Sequence, residues 1–201
     1  MRTVNHKAYA CIVLLATVLL AAGCGDEGSP VTPEEDTAVF KTLTIPENLI
    51  YNLVLSYDEL NIEEYAKLLL NTYDGDYGQE YCWYNQTEDA GNLGEVSYRR
   101  DEEIERTGNM FQAAKGTPVK PEHPIIDELE FVIYNETRTA VDSLWGEPCE
   151  DCWMTERGYF IKIRIGDDSI YGDDKVFFYV VPVQEGDVTT YRIALAIDVR
   201  E

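Results

Sequence analysis

The side chains with the sharpest chemistry in this sequence are thiols. Cys149-Glu150-Asp151-Cys152 is a CxxC pair, a spacing that serves a zinc site, a redox couple or a disulfide. A zinc site needs further thiolate or imidazole ligands. No second CxxC is present, and His6 and His123 are the 2 histidines of the chain. A redox couple needs a depressed thiol pKa, and the acidic neighbours Glu147, Glu150 and Asp151 act in the opposite sense. In a chain that leaves the cytoplasm the simpler reading is a disulfide. Either Cys149 pairs with Cys152 across a tight loop, or one of them pairs with Cys82 and an odd thiol remains. His123 sits in Lys120-Pro121-Glu122-His123-Pro124, the pattern of an exposed loop, so a Ser-His-Asp or Cys-His nucleophile lacks its base. Asp74/Asp76 and Asp167/Asp168/Asp173/Asp174 lack the spacing of a calcium loop and read as charged hairpin tips. No metal and no cofactor is expected. Trp83 and Phe111 are the candidate ligand-contacting aromatics.

Cys24 has a different chemistry. Arg2, His6 and Lys7 precede an uncharged run from Ala8 to Ala22. A spanning helix needs about 20 apolar residues, so this shorter run reads as a signal-peptide core covering residues 1–23. It ends in Leu20-Ala21-Ala22-Gly23-Cys24. Small residues before a cysteine resemble the processing site of bacterial lipoproteins, in which the cysteine thiol accepts diacylglycerol. The leucine usual at the third place before the cysteine stands one place earlier here. The resemblance implies that Cys24 is the lipidated N-terminus and that the membrane contact is hydrocarbon, at about 0.8 kcal/mol per buried methylene. Gly25 in place of aspartate implies passage to the outer membrane rather than retention at the inner one. Residues 24–42 then form a flexible, acidic tether rich in Gly, Pro and acids.

Composition agrees with a solvated domain. The chain has 201 residues, 16 Lys+Arg against 38 Asp+Glu, and a formal net charge of −22, with 45% hydrophobic residues. That apolar fraction is too high for wholly disordered chain. Removing residues 1–23, with Arg2 and Lys7, leaves 178 residues and a charge of −24. Such a surface repels phosphate, so no nucleic-acid partner is expected.

These groups must be positioned by residues 43–201, which read as a single α+β domain. Thr44-Ile45-Pro46-Glu47 is a helix start, with Thr44 as cap and Leu49, Leu53, Tyr57 and Leu60 as the apolar stripe. Asn61 caps a second helix with Glu63 and Glu64 in its first turn. Tyr81 to Tyr84 reads as a short strand, residues 85–97 as a polar loop, and about Arg99 to Ala114 as a third helix with Ile104, Met110 and Phe111 inward. Gly108 marks a bend or a close approach in that helix. Four long strands follow: Leu129 to about Val141, Tyr159 to Ile165, Val176 to Val183, and Tyr191 to Val199. In the last, strict alternation puts Asp198 on the face of Ala194 and Ala196, away from the large apolar face. Val176 to Val181 is apolar on both faces, which predicts a homodimer through the outer face of the sheet.

Three helices, one short strand and four long strands form an element order that resembles the nuclear transport factor 2-like superfamily, which includes ketosteroid isomerase and the SnoaL-like proteins. Two stretches carry the resemblance: Ile45-Pro46-Glu47-Asn48-Leu49 through Tyr65-Ala66-Lys67-Leu68-Leu69, and Tyr98-Arg99-Arg100-Asp101-Glu102-Glu103-Ile104 through Asn109-Met110-Phe111. It implies a cone, in which a curved, mostly antiparallel sheet wraps the helices around an apolar pocket. The function expected is non-enzymatic binding of a small apolar ligand or a protein partner. The alternatives are an isomerase or lyase using a buried carboxylate, and a purely structural envelope component. Substituting Cys24→Ala is expected to release the protein from membranes into the soluble fraction. A Cys24→Ala chain that still sediments with membranes overturns the lipidation.

Overall fold

A computed structural model describes residues 38–75, 77–87 and 96–200. Cys24 and Asp76 lie outside the described residues. Helix α1 spans Glu47–Asp58 and buries Leu49, Ile50, Leu53 and Val54, with Glu47 complementing its N-terminal dipole. Thr44 does not cap it. Pro46 already has helical dihedrals at the N-cap, and the Thr44 hydroxyl is within 3.1 Å of the Thr42 hydroxyl instead. Helix α2, Ile62–Leu68, starts as expected, with the Asn61 side chain accepting from the Glu64 N–H at 3.1 Å. Helix α3 spans Arg100–Ala114. A methyl group at Gly108 would stand 3.3 Å from Ile62 Cγ1, so this glycine serves close packing of α3 on the start of α2.

Six strands follow or interleave with the helices: β1 Cys82–Thr87, β2 Val96–Arg99, β3 Glu128–Leu144, β4 Glu147–Ile165, β5 Asp168–Glu185 and β6 Val188–Arg200. They form one sheet in the order β2-β1-β6-β5-β4-β3. All neighbouring pairs are antiparallel except β1 with β6, which is parallel. Helix α1 packs on both β3 and β6, with two strands between them, so the sheet curls around the helix. This is a mixed α+β fold consistent with a cone. The strand count differs from expectation because β2 lies in what reads as a polar loop, where four residues give too short a pattern to register. The three later hairpins also run longer. Strand β4 begins at Glu147, and β5 begins at Asp168, so the CxxC pair and Asp168/Asp173/Asp174 stand in strands rather than in loops.

Two apolar clusters sandwich the sheet. The inner one joins Leu49, Leu53, Tyr65 and Phe111 of the helices to Ile133, Trp153, Val176, Phe178 and Val180. The outer one gathers Val181, Val183, Leu195 and Ile197 under Leu70, Leu144, Cys149 and Cys152, with Tyr77 and Trp145 packed against it. The Tyr77 hydroxyl donates to the Pro182 carbonyl at 2.7 Å and ties this cover down. The second apolar face of β5 is therefore covered in large part by its own chain. Phe177 and Tyr179 of that face are half-buried.

Cys149 and Cys152 are joined, with Cα atoms 5.6 Å apart, and Cys82 is a free, buried thiol. The bridge closes an irregularity in β4: Val141 pairs with Cys152 and Ser143 with Pro148, so three residues of β4 face the single Asp142 of β3. Asp151 takes a left-handed conformation there, at φ 58°.

Strand β6 carries the irregularity that matters most for the interior. Val180 pairs with Ile193 and Tyr179 pairs with Leu195, leaving Ala194 as an extra residue. Ala194 and Leu195 both pack in the outer cluster, and the alternation resumes one place out of phase. Ile193 and Ala196 point inward together. Asp198 follows Ala196 to the inner face. Strict alternation placed Asp198 on the face away from the core, and the bulge corrects that placement.

Candidate functional site

Between the helices and the inner face of the sheet lies a cavity of about 500 Å³. Its walls are apolar for the most part, with Leu53, Leu69, Phe131, Ile161, Val176 and Phe178 among them. Its mouth lies at Tyr98 and Arg106, the second of which is exposed, with its guanidinium 3.9 Å from the centre of the Tyr98 ring. Because the cavity opens to solvent at this end, it is space for water or a ligand rather than a sealed void.

Two carboxylates reach into it from opposite walls. Glu103 is 9% exposed and projects from the first turn of α3. Its Oε1 accepts from the Tyr65 hydroxyl at 2.8 Å and from the Thr107 hydroxyl at 3.1 Å. No described residue donates to Oε2, and the Glu103 side chain lines the cavity. Asp198 is 2% exposed, and its Oδ1 accepts from the Tyr159 hydroxyl at 2.9 Å. Each carboxylate thus stands beside a tyrosine donor, which offsets part of the cost of burying its charge.

The local sequence explains how Glu103 comes to be inside. Glu103, Thr107 and Phe111 recur at steps of four along α3 and share its buried face. The expected inward set was Ile104, Met110 and Phe111. Met110 lines the cavity, Ile104 is partly buried beside the core, and Phe111 is packed in the core behind the wall. Phe111 lies 5.1 Å from the Tyr57 ring, edge to face, so it supports the wall and is not part of the lining. Trp83 does line the cavity. Glu103 was legible only through its spacing in phase with Phe111, because an acid on an apolar stripe reads as solvent-facing. Asp198 needed knowledge of the bulge. His123 is exposed, and Cys149 and Cys152 are distant in the fold, in the outer cluster.

Buried tyrosines complete the wall. Burial pushes the hydroxyls of Tyr65 and Tyr81 well above the usual tyrosine range, and the charge of Glu103 adds to it. Tyr57 rises for the same reasons in the same order, with a hydrogen bond to Thr107 working against the shift. All three stay neutral donors over any physiological pH. Burial also raises the Cys82 thiol, which disfavours a reactive thiolate there.

No family model matches this chain, and no curated protein is similar to it. Among solved structures, the beta subunit of the benzoate 1,2-dioxygenase from Burkholderia mallei is similar over 78% of this chain and 88% of its own, at 9% identity and a TM-score of 0.47. The beta subunit of a protein assigned as an aromatic-ring-hydroxylating dioxygenase from Novosphingobium aromaticivorans is similar over 78% of this chain and 87% of its own, at 13% identity and a TM-score of 0.45. Likeness at this level transfers no residue of theirs to this pocket.

The tyrosines give a pH prediction with a definite sign. A group whose pKa is raised by folding contributes stability that is complete below its unfolded value, near 10, and is lost as pH rises beyond it. Tyrosinate absorbance should therefore show at least three of the 14 tyrosines protonated until the circular dichroism of the fold collapses above about pH 10. Titration of every tyrosine near 10 with the fold intact contradicts the burial of Tyr57, Tyr65 and Tyr81.

Proposed function

We propose that this chain is a non-enzymatic, lipid-anchored protein of the bacterial cell envelope that binds a small, largely apolar molecule between its helices and its sheet. The observation that carries the binding reading is an open, largely apolar cavity of about 500 Å³ between the helices and the sheet. Folding ordinarily eliminates such space, because packed side chains stabilise a core and voids destabilise it. An open, largely apolar space with a few polar groups in its wall and Tyr98 and Arg106 at its rim is the form of a small-molecule site. An envelope component with a purely structural role would have no use for it. The anchor rests on Cys24 and its flanking residues, and Gly25 favours the outer membrane. Phe177 and Tyr179 on the outer face of β5 offer the surface for a second copy of the chain.

A second reading, an isomerase or lyase, is favoured by Glu103, a cavity-lining carboxylate whose Oε2 receives no donor from a described residue and could take the place of a general base. Such a reaction also needs donors aimed at the oxygen where charge develops. Here the Tyr65 and Tyr159 hydroxyls are directed at Glu103 and Asp198 themselves. These two hydroxyls serve the buried acids and not the oxygen of a ligand, which makes binding the better reading.

The apolar reporter N-phenyl-1-naphthylamine tests it on the chain from residue 24 onward bearing Cys24→Ala. Saturable fluorescence enhancement with one site per chain is expected. Ile161→Trp, which fills the cavity, should reduce the affinity at least tenfold while the melting temperature stays within a few degrees. Absence of saturable binding, or binding indifferent to Ile161→Trp, overturns the reading.

A further inference from the structure

Hydrocarbon walls alone suit an uncharged ligand, but the two acids change the preference. Glu103 is nine-tenths buried and lines the cavity, both its hydrogen bonds fall on Oε1, and Oε2 receives no donor from any described residue. An uncharged apolar ligand would push water off this oxygen and leave it against hydrocarbon, an unfavourable exchange. An anion would meet two carboxylates across a medium of low dielectric. A cation would restore a partner to Glu103 and feel the field of Asp198 as well.

The lining points the same way. Tyr57, Tyr65, Tyr81, Trp83 and Tyr159 share the cavity wall with the two acids. Aromatic faces carry negative charge density and attract ammonium groups, most strongly where water is excluded. The buried Tyr57 and Tyr65 hydroxyls remain neutral beside Glu103. Arg106, the cationic side chain of the lining, stands at the exposed mouth against Tyr98, where water screens it. The interior is therefore negative and aromatic, and the rim is positive.

We propose that the ligand is a small organic cation, an amine or quaternary ammonium carrying an alkyl or aryl arm, with its charged group against Glu103 Oε2 and its arm on the apolar wall of β4 and β5. This rests on the pocket being a binding site. Three probes share one six-carbon chain and differ in charge: hexyltrimethylammonium, 1-hexanol and hexanoate. Calorimetry on the chain from residue 24 onward bearing Cys24→Ala, which retains every residue of the fold, should show the cation binding at least tenfold more tightly than either of the others. Glu103→Gln should bring the cation to within threefold of the alcohol. Arg106→Gln, which removes the positive charge at the rim together with its contact on the Tyr98 ring, should raise the affinity for the cation. Equal affinities, or a preference for hexanol or hexanoate, overturn the cation, and a hexanoate preference that Arg106→Gln removes makes Arg106 the determinant. If N-phenyl-1-naphthylamine also fails to bind, the binding reading itself falls, whereas its binding with no cation preference removes only this inference.

Discussion

Ala194 faces no partner in β5: Val180 pairs with Ile193, Tyr179 pairs with Leu195, and the residue between is extra. A strand repeats every two residues, so one inserted residue exchanges the two faces for everything that follows. Upstream of the bulge, Tyr191 and Ile193 pack toward the helices. Downstream, Leu195, Ile197 and Val199 pack into or against the outer cluster, and Ala196 and Asp198 turn inward. The pocket owes one of its two acids to this shift, and the outer cluster owes Leu195 and Ile197 to it. The small side chains of Ala194 and Ala196 suit a stretch where the strand bends and both faces are occupied.

Buried acids are costly, and here the neighbouring groups reduce that cost in a consistent way. Tyr65 and Thr107 donate to Glu103, and Tyr159 donates to Asp198. Hydrogen bonds to charged groups contribute about 1.5–3 kcal/mol each, which offsets part of the cost of placing these acids beside hydrocarbon. The arrangement gives up some stability in the centre of the fold to keep a negative, hydrated space. The covered outer face, the Cys149–Cys152 bridge and the Tyr77 strap compensate from the other side of the sheet.

Much of this fold was legible in the sequence, because long periodic segments leave little choice. The three helices, the inward set Leu129, Phe131 and Ile133, and the Asn61 cap follow from spacing and side-chain type, and the structure has them. Strand β2 was not legible: four residues next to a helix start carry too little pattern. The Thr44 cap failed because a proline two residues on already fixed the helical backbone dihedral. The site was less legible than the fold. Trp83 could be named, but Phe111 belongs to the supporting core, Glu103 looked like a surface acid, and Asp198 was assigned to the wrong face. A β-bulge has no reliable signature in composition, since it is set by how two strands pair rather than by either strand alone.

The central claim is that the acids brought inside by α3 and by the β6 bulge define what occupies the cavity. Native mass spectrometry of the chain purified from its own host tests this most directly. The expected result is a retained small organic cation, an amine or quaternary ammonium, released by collision and absent from the Ile161→Trp variant prepared in parallel. A retained carboxylic acid or other anion, or the same adduct on the cavity-filled variant, would contradict it.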